Sequence, residues 1–308
     1  MTNTQRNITI FSMMTILFSM TMLMISPMES WADGGSDSFT EIKKSFPPLA
    51  GDKVEIESSG HGDVRWILPG VRALDPKIFG TPDEPLGFEP DVGVPIAMRL
   101  TNPAGTEWTT TAMPTPFSDS FAQISGEYKL KAVDKTLFDD PDSKDKVNFK
   151  AQFTSPDGMN HYKLTVKRII PVGPDHPFMG GVGTNFVHHG MTGIGTKLMP
   201  TSPTFVAFWG VGTLEVNGDK VADNRLVHLM TTCKVRDADY KLVFDDDVDC
   251  TKIHTHLILP NIAITEDGPI SEPVPTGFTL PNVEVEQPFL HIMFENIDIH
   301  GVKTKIVN

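Results

Sequence analysis

One stretch of this chain, VNFKAQFTSPDGMNHYKLTVKRI (residues 147–169), alternates apolar and polar residues on both sides of a turn sequence. Apolar residues fall at every second position over 147–153 and again over 162–166. The Pro-Asp-Gly sequence at 156–158 supplies the residue types that a tight turn needs. A period of two is the spacing of a strand with one buried face, so this stretch predicts an antiparallel hairpin.

The same alternation recurs along the chain. A second hairpin is predicted around Asn217-Gly218, a pair that suits the positive φ angles of a two-residue turn. Helical periodicity is limited to short pieces at 75–80 and 133–139, and no alternation of strands with helices supports a parallel sheet. The predicted fold class is therefore all-β, an antiparallel β-sandwich or open barrel with few short helices. Further strands are predicted at 52–58, 64–68, 94–101, 127–133, 204–209, 224–232, 253–259 and 287–294.

The predicted connections are long and rich in proline and glycine, of which the chain has 25 each. The segment EDGPISEPVPTGFTLPN (266–282) is predicted to be a long surface connection, because each proline lacks the donor that a central strand uses. The glycines within 180–213 predict bulges and tight turns, with the wall of a ligand site as the alternative. The apolar residues Leu290, Ile292 and Phe294 fall at every second position, but the next apolar residues are Ile297 and Ile299, which predicts a bulge or turn near Asn296.

The N-terminus has the pattern of an export signal. An apolar run at 8–25 is followed by Ser30 and Ala32, which suit a signal-peptidase site. The predicted division is a cleaved signal peptide at 1–32, a flexible N-terminus at 33–50 and a β-sandwich domain at 51–308. Retention of the apolar run as an anchor, and a subdivision of the domain near 133–146, are the alternatives. The mature protein is expected to be soluble, periplasmic or extracellular, and without a membrane span.

Charge and motifs narrow the class of function. The formal net charge is −13, and no Lys/Arg cluster with interleaved aromatics is present, so nucleic acid is not an expected partner. Neither G-x-S-x-G nor H-E-x-x-H occurs, so no motif supports an enzyme and a binding role is predicted.

Two alternatives to a metal-binding role stay open. One is a metal-free module that binds a carbohydrate, a polysaccharide or a protein partner through loops at 171–200 and 260–285, with Phe178 or Phe278 as contact residues. The other is an exported hydrolase that uses acidic residues, which the sequence does not single out among 39 Asp and Glu.

The two cysteines, Cys233 and Cys250, predict a disulfide in an oxidising compartment. If they lie directly opposite each other on antiparallel strands, Leu229 lies opposite His254. His228 then points to the other face of the sheet from His254, and it is interpreted as a core histidine.

The spacing of the histidines suggests that the protein binds a metal ion. TKIHTHLILP (251–260) puts His254 and His256 on one face of a predicted strand. Three histidines are followed two residues later by methionine, so a strand presents an imidazole and a thioether together; the pairs are His189/Met191, His228/Met230 and His291/Met293. Thioether with imidazole suits copper(I), and imidazole pairs suit copper(II) or zinc. Copper is therefore the first choice of metal. Glu295 is predicted to orient one of the ligating histidines. The predicted ligands are His254, His256, His291, Met293, His188, His189 and Met191.

Overall fold

The structure is a computed structural model that describes residues 54–87, 94–110, 117–135, 144–170, 181–281 and 284–301. The predicted signal peptide (1–32) and N-terminus (33–50) lie outside the described residues. One short helix, α1 (Pro76–Phe79), and two 3-10 turns, Ile96–Met98 and Asp245–Asp247, accompany the strands. The strands are β1 (Val54–Ile67), β2 (Leu100–Thr101), β3 (Trp108–Thr109), β4 (Phe121–Ile124), β5 (Gly126–Asp134), β6 (Lys146–Thr154), β7 (His161–Ile169), β8 (Val182–His188), β9 (Ser202–Val216), β10 (Asp219–Lys234), β11 (Asp249–Leu259), β12 (Ile262–Thr265), β13 (Gly268–Ser271) and β14 (Leu290–His300).

Eight of these strands form a closed ring in which every pairing is antiparallel. The order is β10, β11, β14, β1, β5, β6, β7 and β9, and β9 pairs with β10 to close the barrel. Strand β8 extends the ladder on β9, the β12–β13 hairpin attaches to β10, and β4 pairs with β1. The predicted antiparallel all-β class is confirmed, and the barrel is closed.

Both predicted hairpins are confirmed. Strands β6 and β7 pair with Phe153 opposite Tyr162, so the two apolar series share the inner face. Strands β9 and β10 are joined at Asn217 and Gly218, whose φ angles of 53° and 92° are the positive values that a two-residue turn of this type requires. The bulge predicted near Asn296 is confirmed as well, because the β1–β14 register shifts opposite that residue, between His61 and Val64.

Three segments test the other local predictions. The short helix predicted at 75–80 is confirmed as α1, but 133–139 is not helical where it is described, since β5 continues to Asp134. The strand predicted at 94–101 is wrong for most of its length: Pro95, which cannot donate to a ladder, precedes a 3-10 turn, and only the last two residues pair.

The proline-rich segment at 266–282 is more structured than predicted. Residues 268–271 form the edge strand β13, a position where proline is tolerated. Beyond it, Val274 and Phe278 are buried, and the Phe278 ring lies 5.5 Å from that of Trp66. This part of the connection therefore caps one end of the barrel core and is not exposed to solvent.

The described residues form two large apolar cores and one small cluster of Ile67, Tyr240 and Met293. The barrel interior is filled by side chains from all eight strands of the ring, including Trp66, Phe149 and Phe208. Glycine at 210 and 212 allows close packing there, since a Cβ would lie 2.6 Å from Val166 and 2.7 Å from Val227, respectively. A second core lies against the outer face of β9, β10 and β11 and includes Met230 and Ile258 from the strands.

The predicted disulfide between Cys233 and Cys250 is confirmed, with the two Cα atoms 4.5 Å apart. The register predicted from it is wrong. An irregularity after Cys233 offsets the ladder, so Leu229 lies opposite Leu257 and not opposite His254. The disulfide spans this irregularity, because Cys233 pairs with Ile253 whereas Cys250 is one of three unpaired residues of β11 (250–252), so it does not report the register of the regular part of the ladder. His228 therefore points to the same face as His254.

Candidate metal centre

The outer faces of three adjacent strands carry most of the histidine and methionine side chains singled out from the sequence. Across these strands His256 lies opposite Met230 on one side and Met293 on the other. Ile258 lies in the same way between His228 and His291. We call this surface the histidine wall; it comprises His228 and Met230 on β10, His254 and His256 on β11, and His291, Met293 and Glu295 on β14.

The histidine wall faces away from the barrel axis, yet it is buried. His254, His256 and His291 are each 0 % exposed. They are covered by the described parts of three connections, 68–120, 189–201 and 235–248, which we call the cover. The cover supplies apolar residues to the second core, among them Leu74, Phe79, Phe117, Leu198, Met199, Val235 and Leu242.

Three buried imidazoles come together where β8 ends beside the histidine wall. His188 is the last residue of β8, His189 follows it with a φ of 66°, and His228 lies on β10. The His188 and His189 rings stack with centroids 3.7 Å apart. One nitrogen from each of the three rings lies within 4.8 Å of the other two. We call these three residues the histidine trio.

His228 is held in the orientation that is common among metal-ligating histidines. Its Nδ1 donates a hydrogen bond to the carbonyl oxygen of Phe208 at 3.0 Å, which leaves the lone pair of the ring on Nε2. The Trp209 ring stacks on the same imidazole with centroids 4.0 Å apart. Both contacts hold the His228 ring in one orientation, so binding of an ion to this ring would cost little side-chain entropy.

His188 and His189 differ in how their ring nitrogens are used. Nδ1 of His188 is buried and makes no hydrogen bond. Nδ1 of His189 accepts a hydrogen bond from the Thr196 amide at 3.1 Å, so the ring proton is on Nε2, which lies 3.1 Å from the Met230 sulfur. An ion that binds His189 must replace one of these two contacts, and the Met230 thioether lies beside the position that it would take.

Burial keeps these rings neutral. Removal from water, with smaller contributions from His189 and His228, lowers the pKa of His188 well below its ordinary value. Burial and then His228 lower the pKa of His189 to about 3. Since a metal ion binds the unprotonated imidazole, neutral pH leaves these side chains in the binding form.

The remaining histidines of the wall form a hydrogen-bonded series that we call the histidine row: His291, His256 and His254. Nε2 of His291 lies 3.0 Å from Nδ1 of His256, and Nε2 of His256 lies 3.0 Å from Nε2 of His254. The Val235 amide also donates to Nε2 of His254, at 3.2 Å, so that nitrogen is an acceptor and the ring proton is on Nδ1. It follows that His291 donates to His256 and that His256 donates to His254.

The histidine row ends on a carboxylate. Nδ1 of His254 lies 3.5 Å from Oε1 of Glu295, and that oxygen accepts a hydrogen bond from the Tyr240 hydroxyl at 2.7 Å. Nζ of Lys234 lies 3.2 Å from the other carboxylate oxygen. Burial by itself raises the pKa of Glu295, but the hydrogen bonds and charges of His254, Tyr240 and Lys234 outweigh it and lower the pKa to about 2. Glu295 is thus a charged acceptor at neutral pH.

The structure brings together some of the predicted ligands and separates others. His254, His256 and His291 are in contact, and Met293 lies opposite His256, where its sulfur accepts from Nε of Arg236 at 3.2 Å. His188 and His189 are adjacent in the trio. Met191 is 63 % exposed and lies apart from the buried donors.

Sequence reasoning missed two donors, His228 and Met230. Their His-x-Met spacing was a usable signal, but the strand is apolar on both faces and predicts a core histidine. The register inferred from the disulfide then placed His228 on the wrong face. Of the aromatic residues suggested for a carbohydrate surface, Phe278 is buried and Phe178 lies outside the described residues.

None of the helices in the described part of the chain has the length and apolar character that crossing a membrane requires. Comparison with known proteins gives no relative: no protein-family model, no curated protein and no solved structure matches this chain.

Proposed function

We propose that this protein binds a transition-metal ion, copper first, at the histidine trio, and that it does so outside the cytoplasm. The observation that carries the proposal is the approach of three buried imidazole nitrogens to within 4.8 Å of one another. Three imidazoles bound to one ion at a metal–nitrogen distance of about 2.0 Å place their nitrogens roughly 3.3 Å apart. The trio therefore needs a closure of at most about 1.5 Å.

The donor chemistry supports copper over harder cations. Burial keeps His188 and His189 neutral, and the nearby Met230 sulfur is a soft donor that favours copper(I). The disulfide between Cys233 and Cys250 supports a location in an oxidising compartment. The burial of this donor set supports storage, delivery or sensing of the ion more than hydrolysis, which requires a substrate to reach the ion.

The test is direct metal binding by the full chain. Protein stripped with a chelator is offered copper(I), copper(II) and zinc in turn, and bound metal is counted after desalting. We expect about one copper(I) ion per chain and a fall in Trp209 fluorescence, since Trp209 stacks on His228. His228→Gln should abolish both signals.

The matched control is His161→Gln, which removes an exposed histidine on β7. It should bind as the unmodified chain does. Equal copper binding by the His228→Gln variant, or no copper binding by the unmodified chain, would contradict the proposal. Tighter retention of zinc than of copper(I) would contradict the choice of metal.

A further inference from the structure

The histidine trio poses a problem of access. His188, His189 and His228 are each 5 % exposed or less, and the cover lies over the adjacent wall. An ion that binds there must pass through packed side chains. A route is favourable where donors follow one another at short intervals, because each metal–ligand bond that breaks is then replaced by another.

Such a series of donors runs through the histidine wall. Beginning at Glu295, Oε1 lies 3.5 Å from His254 Nδ1, and His254 Nε2 lies 3.0 Å from His256 Nε2. His256 lies directly opposite Met230 on the neighbouring strand, on the same face. Side chains in such positions have Cβ atoms about 5 Å apart.

The series then reaches the trio. The Met230 sulfur lies 3.1 Å from Nε2 of His189, which is itself a member of the trio. Oxygen, nitrogen, nitrogen, sulfur and nitrogen donors therefore succeed one another from Glu295 to the proposed binding site. Every step either is a contact of 3.5 Å or less or is a directly opposed pair across one ladder.

The outer end of the series reaches solvent. Glu295 is 8 % exposed and forms part of the wall of an open surface groove of about 540 Å³. Lys234 pairs with one carboxylate oxygen and leaves the other facing His254 and Tyr240. The carboxylate is the charged acceptor that would attract a cation from the groove to the first histidine. The groove is also lined by His61, Asp63, Lys252, Asn296 and Asp298.

We propose that Glu295, His254, His256 and Met230 form a transfer path that carries the metal ion from the surface groove to the histidine trio. This rests on the proposed function, because it assumes that the trio is the destination. At each exchange one metal–donor bond breaks as the next forms. In the histidine row the proton of His254 is on Nδ1 and that of His256 is on Nε2, so each ring must move this proton to its other nitrogen before the nitrogen on the path can bind the ion. Each ring stays neutral through this exchange, so the ion advances without net uptake or release of protons.

The path and the binding site are distinguished by measuring rate and equilibrium separately. Copper(I), presented as a soluble weak chelate, is mixed rapidly with the stripped chain, and quenching of Trp209 reports arrival at His228. His256→Gln keeps a hydrogen-bonding side chain of similar reach but removes a good ligand. We expect loading about tenfold slower or more, with the final stoichiometry and equilibrium affinity unchanged.

Three further variants make the test specific. Glu295→Gln, which is less disruptive because this side chain reaches the groove, should also slow loading. His256→Met keeps a soft donor at the same position and should restore fast loading of copper(I). His161→Gln, on the exposed part of β7, is the control and should load at the unmodified rate.

The outcomes separate cleanly. Unchanged loading rates in both His256→Gln and Glu295→Gln would overturn the path. Two copper ions per chain in the unmodified protein, falling to one in His256→Gln, would also overturn it, since the row would then be a resident site. Wild-type binding by His228→Gln would instead show that the trio is not the destination, and the proposed function would fail together with the path.

Discussion

The two faces of the sheet formed by β10, β11 and β14 are both buried, but the inner face is mostly apolar whereas the outer face carries histidine and methionine side chains. Towards the barrel axis lie Leu229, Leu257 and Ile292, which belong to the apolar core of the barrel, and the buried Thr231 and Thr255, whose hydroxyls bond each other. On each strand an adjacent residue points outward and lies under the cover: Met230 on β10, His256 on β11 and Met293 on β14. The interior is closed by the barrel itself, whereas the outer face is kept dry by connections that other parts of the chain supply. Burial therefore goes with mostly apolar side chains on the inner face, whereas the outer face buries several histidines as well.

The largest expected loss of stability comes from a substitution that disturbs the inner face alone. Leu257→Ala removes a fully buried side chain from the barrel core and should lower the free energy of unfolding by about 2–5 kcal/mol. Since Leu257 points away from the histidine wall, copper stoichiometry should be unchanged in the protein that remains folded. Urea unfolding and metal counting on the same sample check both parts. A loss of copper binding with little loss of stability would show that the two faces are not independent.

The disulfide ties the end of this sheet and contributes to both faces. Replacing Cys233 and Cys250 with alanine should cost roughly 3 kcal/mol, because the unfolded chain is no longer cross-linked. The ladder between Leu229 and Leu257 lies beyond the bulge, so its register should be preserved. Urea unfolding with and without reductant measures the cost. If reductant left the urea unfolding curve of the unmodified chain unchanged, the expectation would be contradicted.

A smaller change disturbs only the outer face. Gly195 has a φ of +80°, and a Cβ there would lie 2.5 Å from His189 Nδ1 and 2.7 Å from His188 Nε2. Gly195→Ala should therefore cost about 1–3 kcal/mol in backbone strain and also weaken copper binding by displacing the two rings.

Gly193→Ala is a close control for this variant. Its φ is +78°, but no atom lies within 4 Å of the added Cβ. It should show the loss of stability without the loss of copper affinity. Equal copper affinity in the two variants would show that the turn does not position the imidazoles.

The acid sensitivity of the apo protein should also come from the outer face. Burial and then the neighbouring His254 lower the pKa of His256 well below its ordinary value, while the pKa of His189 falls to about 3. The unfolded chain protonates such rings near pH 6.5. Below that pH the unfolded chain binds protons that the folded protein does not. The free energy of unfolding is therefore highest above about pH 6.5 and falls as the pH is lowered from 6.5 towards 3.

Removing one such ring should make this loss more gradual. His256→Gln should reduce the slope of unfolding free energy against pH by up to roughly 1.4 kcal/mol per pH unit as the pH falls below about 6. Leu257→Ala should lower the whole curve without changing its slope. Urea unfolding at a series of pH values measures both, and parallel curves for His256→Gln and the unmodified chain would contradict the assignment.

Much of the architecture follows from local patterns. The hairpin at 147–169 and the turn at Asn217-Gly218 are predicted because side-chain alternation and turn geometry act over a few residues. The strand at 94–101 fails because a single proline outweighs the surrounding apolar pattern. Closure of the barrel has no local signal, since it depends on β1 pairing with β14 and β7 pairing with β9, which are not neighbours in the sequence.

The candidate site was accessible from sequence only in part. Period-two spacing was enough to pair His254 with His256 and His291 with Met293. The trio was not accessible, because its members come from β8 and β10, whose relative position depends on β9 between them. An irregularity at the disulfide also reversed the face assigned to His228, because β11 has three extra residues there and an odd offset in register changes the face of every residue beyond it.

Local pattern thus accounts for an antiparallel β protein with one disulfide and with nitrogen and sulfur donors at strand spacing. The long-range pairings selected which of those donors meet, and the three connections of the cover turned an outward face into a buried one. The physical reason is range. Alternation and turn preference are properties of neighbouring residues, whereas register across a ladder and coverage by distant connections arise only when the whole chain packs.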